Sequence, residues 1–311
     1  MEALPDLSVV VPVLDAAAYL PAFLTALAEQ QWTGSWEVVM ADNGSTDGSV
    51  ELIAAERKRL PALQVVHAGG GRGPGQARNA GAREARGQAL VFVDADDIPA
   101  PGYLAAMGEA LREHDLVCSR IEVEELNPRW TTALRGSPQK EGPGAYLSFL
   151  PYAGGSSTGI RRSLFERLGG FDSRLGYAED VDLCWRAQLF AGAELAFVPE
   201  AVLHVRQRAS LSAMFRQARS WGEAEARLQL SYREYGARVP WRETYHRWRR
   251  IVRHLPRLRH KAGRAWWLTQ FGNAVGRVEG AARARLRGPD TPMALRSAES
   301  SNDRVPARPP S

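Results

Sequence analysis

A chain of 311 residues with 44% hydrophobic and 24% charged residues can bury one large core or two modest ones, and that composition suits neither a disordered nor a fibrous protein. The net charge of +5 is unevenly spread: residues 238 to 311 hold 17 Lys and Arg against 5 Asp and Glu, a net +12, which leaves −7 on residues 1 to 237. The acidic first three quarters argue against a nucleic-acid groove there. The two cysteines, Cys118 and Cys184, lie in apolar segments without CxxC or Cys/His spacing and suggest neither a disulfide framework nor a zinc site.

Met1 to Ser8 carries Glu2 and Asp6 where a secretory leader would be basic, and the apolar run Val9 to Leu14 is too short for a signal core. No stretch reaches the about 18 apolar residues that a spanning helix needs. The nearest, Trp266 to Val275, is interrupted by Gln270 and Asn273. The expectation is a cytoplasmic chain with reduced, buried thiols that does not cross a membrane by itself.

Ser8 to Val13 opens as a buried strand, since a run of valines suits a parallel sheet covered on both faces, and Pro12 marks its end. Ala16 to Gln31 follows with apolar residues at helical spacing, and Trp36 to Ala41 returns to strand character. The unit repeats with a helix over Gly48 to Leu60, a strand over Leu63 to His67, a glycine-rich loop from Gly69 to Gly75, a helix over Gln76 to Arg86 and a strand over Ala89 to Val93. Such alternation predicts an α/β fold with a doubly wound, mostly parallel sheet flanked by helices. Next come a helix near Gly102 to Glu113, a strand near Leu116 to Val123 and a mobile, Gly-, Pro- and charge-rich loop over Asn127 to Gly144. Helices are expected over Ser163 to Leu168, Glu179 to Phe190 and Ser212 to Tyr235, with a short strand at Leu195 to Val198. Past Pro240 the chain reads as Arg- and Trp-rich helix, and Ser297 to Ser311 as a disordered tail.

In open sheets of this kind ligands bind beyond the carboxyl ends of the strands. The polar residues there are Asp15, Asp42 to Asp47 and Asp94 to Asp97. Val91-Phe92-Val93-Asp94-Ala95-Asp96-Asp97 delivers three carboxylates to the sheet edge within four residues. Clustered carboxylates repel and call for a cation, and hard oxygen ligands suit Mg²⁺ or Mn²⁺ bridged to substrate phosphates; taken alone, such a trio is as readily a solvated turn or helix cap. The loop Gly69 to Gly75 lacks Gly-Lys-Ser/Thr, and no GxGxxG directly follows the first strand, which speaks against ATP hydrolysis and a nicotinamide site.

Six pieces in order, VVVPV, ADNGSTDGS, GGGRGPGQARNAG, FVDADD, the GGFD of Gly169 to Asp172 and AEDVDLCWR, resemble the family 2 glycosyltransferases with their GT-A fold, over about residues 7 to 215. The resemblance implies transfer of one sugar from a nucleoside diphosphate sugar to an acceptor hydroxyl with inversion, in cell-envelope polysaccharide, glycolipid or secondary-metabolite glycosylation. It places Pro12, Val13, Asp15, Asp42, Ser45, Arg78, Asn79, Asp94 and Ala95 around the nucleotide sugar, and Asp96 and Asp97 at the metal. Ser45 and Asp47 read equally as caps of the following helix, and Asn79 and Gly81 as packing. Asp180 becomes the base that deprotonates the acceptor, with Glu179 second, at a helix start whose dipole keeps carboxylates ionised; Asp182 either joins the sugar site or pairs with Arg186. Gly155 and Ser156 match the stretch that meets acceptor and donor sugar, or form a plain loop. His204 stands where many members place a remaining metal ligand, although a lone histidine is often structural. Arg206, Arg208, Arg216 and Arg219 are candidates to clamp the leaving diphosphate.

Two departures matter. Leu14 and Asp15 stand where the family commonly shows an aromatic residue and Asn. Gln217-Ala218-Arg219-Ser220-Trp221 lacks the arginine of the processive QxxRW motif, so a single transfer is expected. The division that follows is a catalytic domain over 1–237 (a nucleotide-sugar half, 1–120, and an acceptor half, 121–237), a basic helical extension over 238–296 and the tail. The extension interleaves Trp and Arg, a pattern for peripheral contact with an anionic membrane or for a helical cap on the catalytic domain. The acceptor is a carbohydrate, a lipid-linked molecule or a small molecule, and no nucleic acid is expected. Nucleotidyl transfer to a sugar phosphate is a competing reading, but it would want a basic glycine-rich loop where Val13-Leu14-Asp15 stands. A non-catalytic sugar-binding protein of the same fold is the other alternative.

Overall fold

The computed structural model describes residues 5–60, 62–69 and 73–287; the tail expected to be disordered lies outside them. Leu7–Val13 (β1), Leu20–Ala28 (α1), Trp36–Asp42 (β2), Ser49–Ala55 (α2), Leu63–His67 (β3), Pro74–Glu84 (α3) and Ala89–Phe92 (β4) form the βα alternation. Ile98–Pro99 (β5), Tyr103–Glu113 (α4), Leu116–Glu122 (β6), Arg129–Arg135 (α5), Gly144–Ala145 (β7), Pro151–Tyr152 (β8), Thr158–Arg161 (β9) and Arg162–Arg167 (α6) follow. Glu179–Ala191 (α7), Leu195–His204 (β10), Leu211–Ser231 (α8), Trp241–Arg253 (α9) and Lys261–Arg287 (α10) complete the described chain.

One mixed sheet runs in the order β3-β2-β1-β4-β9-β6-β10-β5. The first four strands are parallel, β10 is parallel to β6, and β9 lies antiparallel between β4 and β6. Through β9 the sheet continues from the first half of the chain into the second. The valines of β1 explain the arrangement. Val9, Val11 and Val13 face a core with Leu20, Phe23 and Leu27 of α1 and Met107 of α4, while Val10 faces the opposite core with Phe92, Phe165 and Leu183. A strand covered on both faces needs a continuous apolar run. Cys118 and Cys184 are buried and free, as the sequence implied.

Two expectations change, and one strand is added. Asn127 to Gly144, expected as a loop, contains α5; the Thr131 hydroxyl donates to the Pro128 carbonyl at 2.7 Å and closes its first turn. The short strand at Leu195 to Val198 extends to His204, because a register shift between Val198 and Val202 absorbs Pro199 without ending the pairing. β9 has no sequence period to announce it.

The long C-terminal helix α10 packs on α8. A Cβ on Gly222 of α8 would run into the Asn273 carbonyl of α10, and one on Gly276 into the Arg219 carbonyl, so the two backbones cross closer than side chains allow. Arg219 forks onto Glu279 at 2.8 and 2.9 Å, and Glu225 accepts from Arg277 and Asn273. No helix of the described residues is long and apolar enough to cross a membrane.

Candidate active site

The chemistry gathers beyond the carboxyl ends of β1, β2 and β4. Asp42, at the end of β2, accepts from the backbone N–H of Gly44 and Ser45 at 3.2 and 3.1 Å and so shapes its own turn. That turn braces the loop after β1. Asp15 N–H donates to Ser45 Oγ at 3.0 Å, Thr46 N–H donates back to Asp15 Oδ1 at 2.8 Å, and Asp47 accepts from Ala17 N–H at 2.9 Å. Gly48 holds the N-cap position of α2, and the Asp47 carboxylate just before it accepts from the N–H of Ser49, the first residue of the helix, at 3.1 Å, whereas Ser45 faces the loop after β1. Pro12 and Val13 end β1, Val13 fully in the core; Ala95 is buried in that same core.

Arg78 organises the centre. Its guanidinium, buried on α3, donates to Asp94 Oδ1 at 2.6 Å and to Glu179 Oε1 at 2.9 Å, joining the end of β4 to the start of α7. Gly155 permits this, since a Cβ there would lie 2.5 Å from Arg78 Nη1. Asp94, Asp96 and Asp97 each offer an oxygen within 4.8 Å of the others. Asp97 accepts from Arg206 N–H at 2.9 Å. Burial, and then the neighbouring charge of Asp94, raises Asp96 and carries Asp97 well above the usual carboxylate range. Three clustered carboxylates, Asp97 buried and the other two half-buried, in which burial and like charge raise Asp96 and Asp97, fit a hard divalent cation, whose charge offsets both penalties.

Opposite stands Asp180. Its Oδ2 accepts from Gly155 N–H and its Oδ1 from Val181 N–H, both at 2.8 Å. Burial raises it, against the lowering charge of Arg78. Glu179 is more enclosed, and burial with the adjacent charge of Asp180 pushes it up to about 8. Ala178, just before the pair, holds φ +61°, a left-handed conformation that costs a residue with a Cβ about 1–2 kcal/mol. Strain of this kind collects where the surrounding fold must fix a functional geometry.

Four expected site residues are engaged elsewhere and a fifth is exposed. Both Asp182 oxygens are taken in the core, by Arg186 Nε at 2.7 Å and Tyr232 Oη at 2.6 Å, so Asp182 is buried in its pairing with Arg186. The Asn79 amide is spent on the Phe171 backbone, donating to its carbonyl at 2.7 Å and accepting from its N–H at 2.9 Å. His204 turns Nε2 to Glu125 at 3.1 Å and is not in the aspartate cluster. Arg219 is held by Glu279, and Arg216 is exposed on α8. Of the arginines expected as clamps, Arg208 and Arg206 lie near the aspartates, their charges opposing the rise of Asp96, and Arg206 Nε donates to the Asp96 carbonyl at 3.3 Å with its guanidinium 4.9 Å from the Tyr19 ring.

Arg78, Asp94, Glu179, Asp180, Gly155 and Ser156 share one cavity of about 500 Å³. Its far wall, which no sequence motif marked as a unit, is built by Arg135, Tyr146, Tyr152, Gln217, Trp221 and Asn273.

A mixed α/β sheet that sets an aspartate cluster at one strand end across a cavity from a helix-borne carboxylate defines a glycosyltransferase of the GT-A type. The chain belongs to glycosyl transferase family 2: the model of that family matches residues 8–169, and that of glycosyl transferase family group 2 matches residues 89–269. The pre-mycofactocin glycosyltransferase of Mycobacterium tuberculosis is 29% identical over 95% of this chain and 59% of its own length. A PGL/p-HBAD biosynthesis glycosyltransferase of Mycobacterium bovis is 33% identical over 41% of this chain and 51% of its own. The chain thus spans under two thirds of the length of these relatives. Among solved structures, the mannosyltransferase PcManGT of Pyrobaculum calidifontis, in complex with GDP-Man and Mn²⁺, aligns with a TM-score of 0.57 at 23% identity over 96% of this chain and 80% of that one. S. aureus TarS 1-349 in complex with UDP-GlcNAc aligns with a TM-score of 0.53 at 18% identity over 91% and 92%. These two structures are alike in fold.

Proposed function

We propose that this chain transfers a single sugar from a nucleoside diphosphate sugar to an acceptor hydroxyl with inversion, assisted by Mg²⁺ or Mn²⁺ at Asp94, Asp96 and Asp97. The observation that carries the reading is the cavity that holds Asp94 of the cluster and the Asp180 carboxylate together. The two solved structures of like fold, bound to GDP-Man with Mn²⁺ and to UDP-GlcNAc, support a nucleotide-sugar donor.

In this reading Asp180, steadied by two backbone N–H groups, takes the proton of the acceptor hydroxyl as its oxygen attacks the anomeric carbon and the bond to the diphosphate breaks. The bound cation supplies charge neutralisation for the departing diphosphate. Arg78 keeps Asp94 and Glu179 in register with both partners, and Arg206 adds positive charge beside the aspartates.

A panel of UDP-, GDP- and dTDP-sugars with Mn²⁺, read as nucleotide release, tests this. One donor is expected to turn over, and EDTA or Asp96→Ala to reduce release to background. Turnover undiminished by both removes the metal from the scheme, whereas donor binding without turnover for every sugar favours a non-catalytic sugar-binding protein.

The proposal extends to an anionic lipid surface. Val252, Leu255 and Leu258 are exposed beside exposed Arg253, Arg257 and Arg259 at the end of α9 and the turn after it, which is interfacial chemistry worth about 1 kcal/mol per basic residue. The protein is expected to sediment with phosphatidylglycerol vesicles at low salt, and the triple change of these arginines to Gln to release it. Equal sedimentation with neutral phosphatidylcholine vesicles refutes the contact.

A further inference from the structure

The far wall of the cavity holds a cation without a counter-charge. Arg135, the last residue of α5, donates through Nη2 to Gln217 Oε1 at 2.9 Å and lies 4.9 Å from the Trp221 ring. Among the described residues no carboxylate pairs with it. The contrast with the other enclosed arginines is chemical. Arg78 and Arg186 are raised by the acids they touch, although burial opposes this, whereas Arg135 is lowered by burial alone. A half-buried guanidinium that has lost water without gaining an anion is costly. It keeps most of its five N–H donors for an incoming group.

The surroundings of that cation are apolar and aromatic. Tyr146 and Tyr152 meet edge to face at 5.8 Å, the Tyr146 hydroxyl donates to the Trp221 carbonyl at 3.3 Å, and Ile121, Val123 and Val205 add aliphatic surface to the same cavity. Arg135 comes from α5 and its neighbours from α8, whereas the residues assigned to nucleotide and cation come from the loops after β1, β2 and β4 and from α3. The Arg135 guanidinium is therefore carried by elements other than those that hold the aspartates and Arg78.

We infer that the acceptor carries an oxyanion, a carboxylate or a phosphate, which Arg135 binds while Tyr146, Tyr152 and Trp221 hold an aromatic or apolar body and the reacting hydroxyl reaches Asp180. The shape and charge demand all three: a fork for two oxygens, a flat apolar wall and a base across the space. The inference rests on the acceptor side of the transferase reading, and its test is arranged to need no turnover.

The probes are benzoate, phenyl phosphate and uncharged benzyl alcohol, titrated into the full chain by ligand-observed NMR in EDTA so that no cation draws the phosphate to the aspartates. At least one anion is expected to bind about tenfold or more tightly than benzyl alcohol, as a charge-assisted hydrogen-bonded pair would. Stronger benzoate identifies a carboxylate acceptor, stronger phenyl phosphate a phosphate one. Arg135→Gln should abolish the preference and Arg135→Lys retain part of it, with benzyl alcohol unaffected in both, a control that each variant is folded. Equal binding of the three probes, no binding of either anion, or an unchanged preference in Arg135→Gln overturns the inference. So does a loss in that variant of inorganic pyrophosphate binding with Mn²⁺, which would give Arg135 to the leaving diphosphate. Because no probe contains a sugar, absence of glycosyl transfer and absence of the anion site are separate results.

Discussion

Asp180→Asn is expected to lower sugar transfer by about 10² to 10⁴-fold while leaving donor binding near wild type. The substitution keeps shape and one oxygen that can accept from Gly155 N–H or Val181 N–H, but it removes the group that takes the acceptor's proton. Burial already raises Asp180, which makes its carboxylate a stronger base than an exposed aspartate. The loss should fall on kcat, since the interaction is made as the proton moves. Glu179→Gln separates the two acids: Glu179 is tied to Arg78 at 2.9 Å and acts by positioning, so its change should alter KM and kcat together and by less. Steady-state rates with the donor chosen by the panel, with nucleotide affinity by calorimetry, check both. A kcat for Asp180→Asn within a few-fold of wild type would give the base to another residue.

The fold was legible where burial is simple. Apolar runs covered on both faces gave β1 to β4 to within a residue, whereas α1 and α2 are shorter than the Ala16 to Gln31 and Gly48 to Leu60 expected from their apolar stripes, since spacing marks a helix better than it marks its ends. β9 escaped because Thr158-Gly159-Ile160-Arg161 is too short to show a period and owes its existence to β4 and β6 on either side. The second part of β10 was hidden by Pro199, whose missing donor is tolerated only because the strand bulges there. Within the site, the aspartates and Asp180 were readable as motif residues following strands or opening a helix. Their neighbours were not. Asn79, Asp182 and Arg219 have the right chemistry for a ligand, and only the three-dimensional partners, Phe171, Tyr232 and Glu279, reveal that it is already used. The far wall is drawn from α5, β8, α8 and α10, so no local pattern could unite Arg135 with Tyr152, Trp221 and Asn273.

Arg186→Met is expected to destabilise the protein by about 3–5 kcal/mol, the cost of leaving a buried charge without its partner. Arg186 is fully enclosed, and its three donors go to Asp182 Oδ2, the Leu168 carbonyl and the Gly170 carbonyl, all at 2.7 Å. The Tyr232 hydroxyl donates to the other Asp182 oxygen at 2.6 Å. One side chain thus fastens α7 to the turn before Phe171, and through the Asn79 amide to α3, the helix that carries Arg78. For a domain whose whole stability is on the order of 5–15 kcal/mol, the midpoint of thermal unfolding should fall by roughly 10 °C. Asp182→Leu combined with Arg186→Met should recover part of the loss, since a buried pair replaced by apolar groups leaves no charge behind. The recovery is incomplete because the Leu168 and Gly170 carbonyls and the Tyr232 hydroxyl keep no partner. Unfolding curves of the two single variants and the double variant measure the coupling. Additive losses would mean that Asp182 is not neutralised by Arg186 and would return it to the list of groups free to meet the sugar.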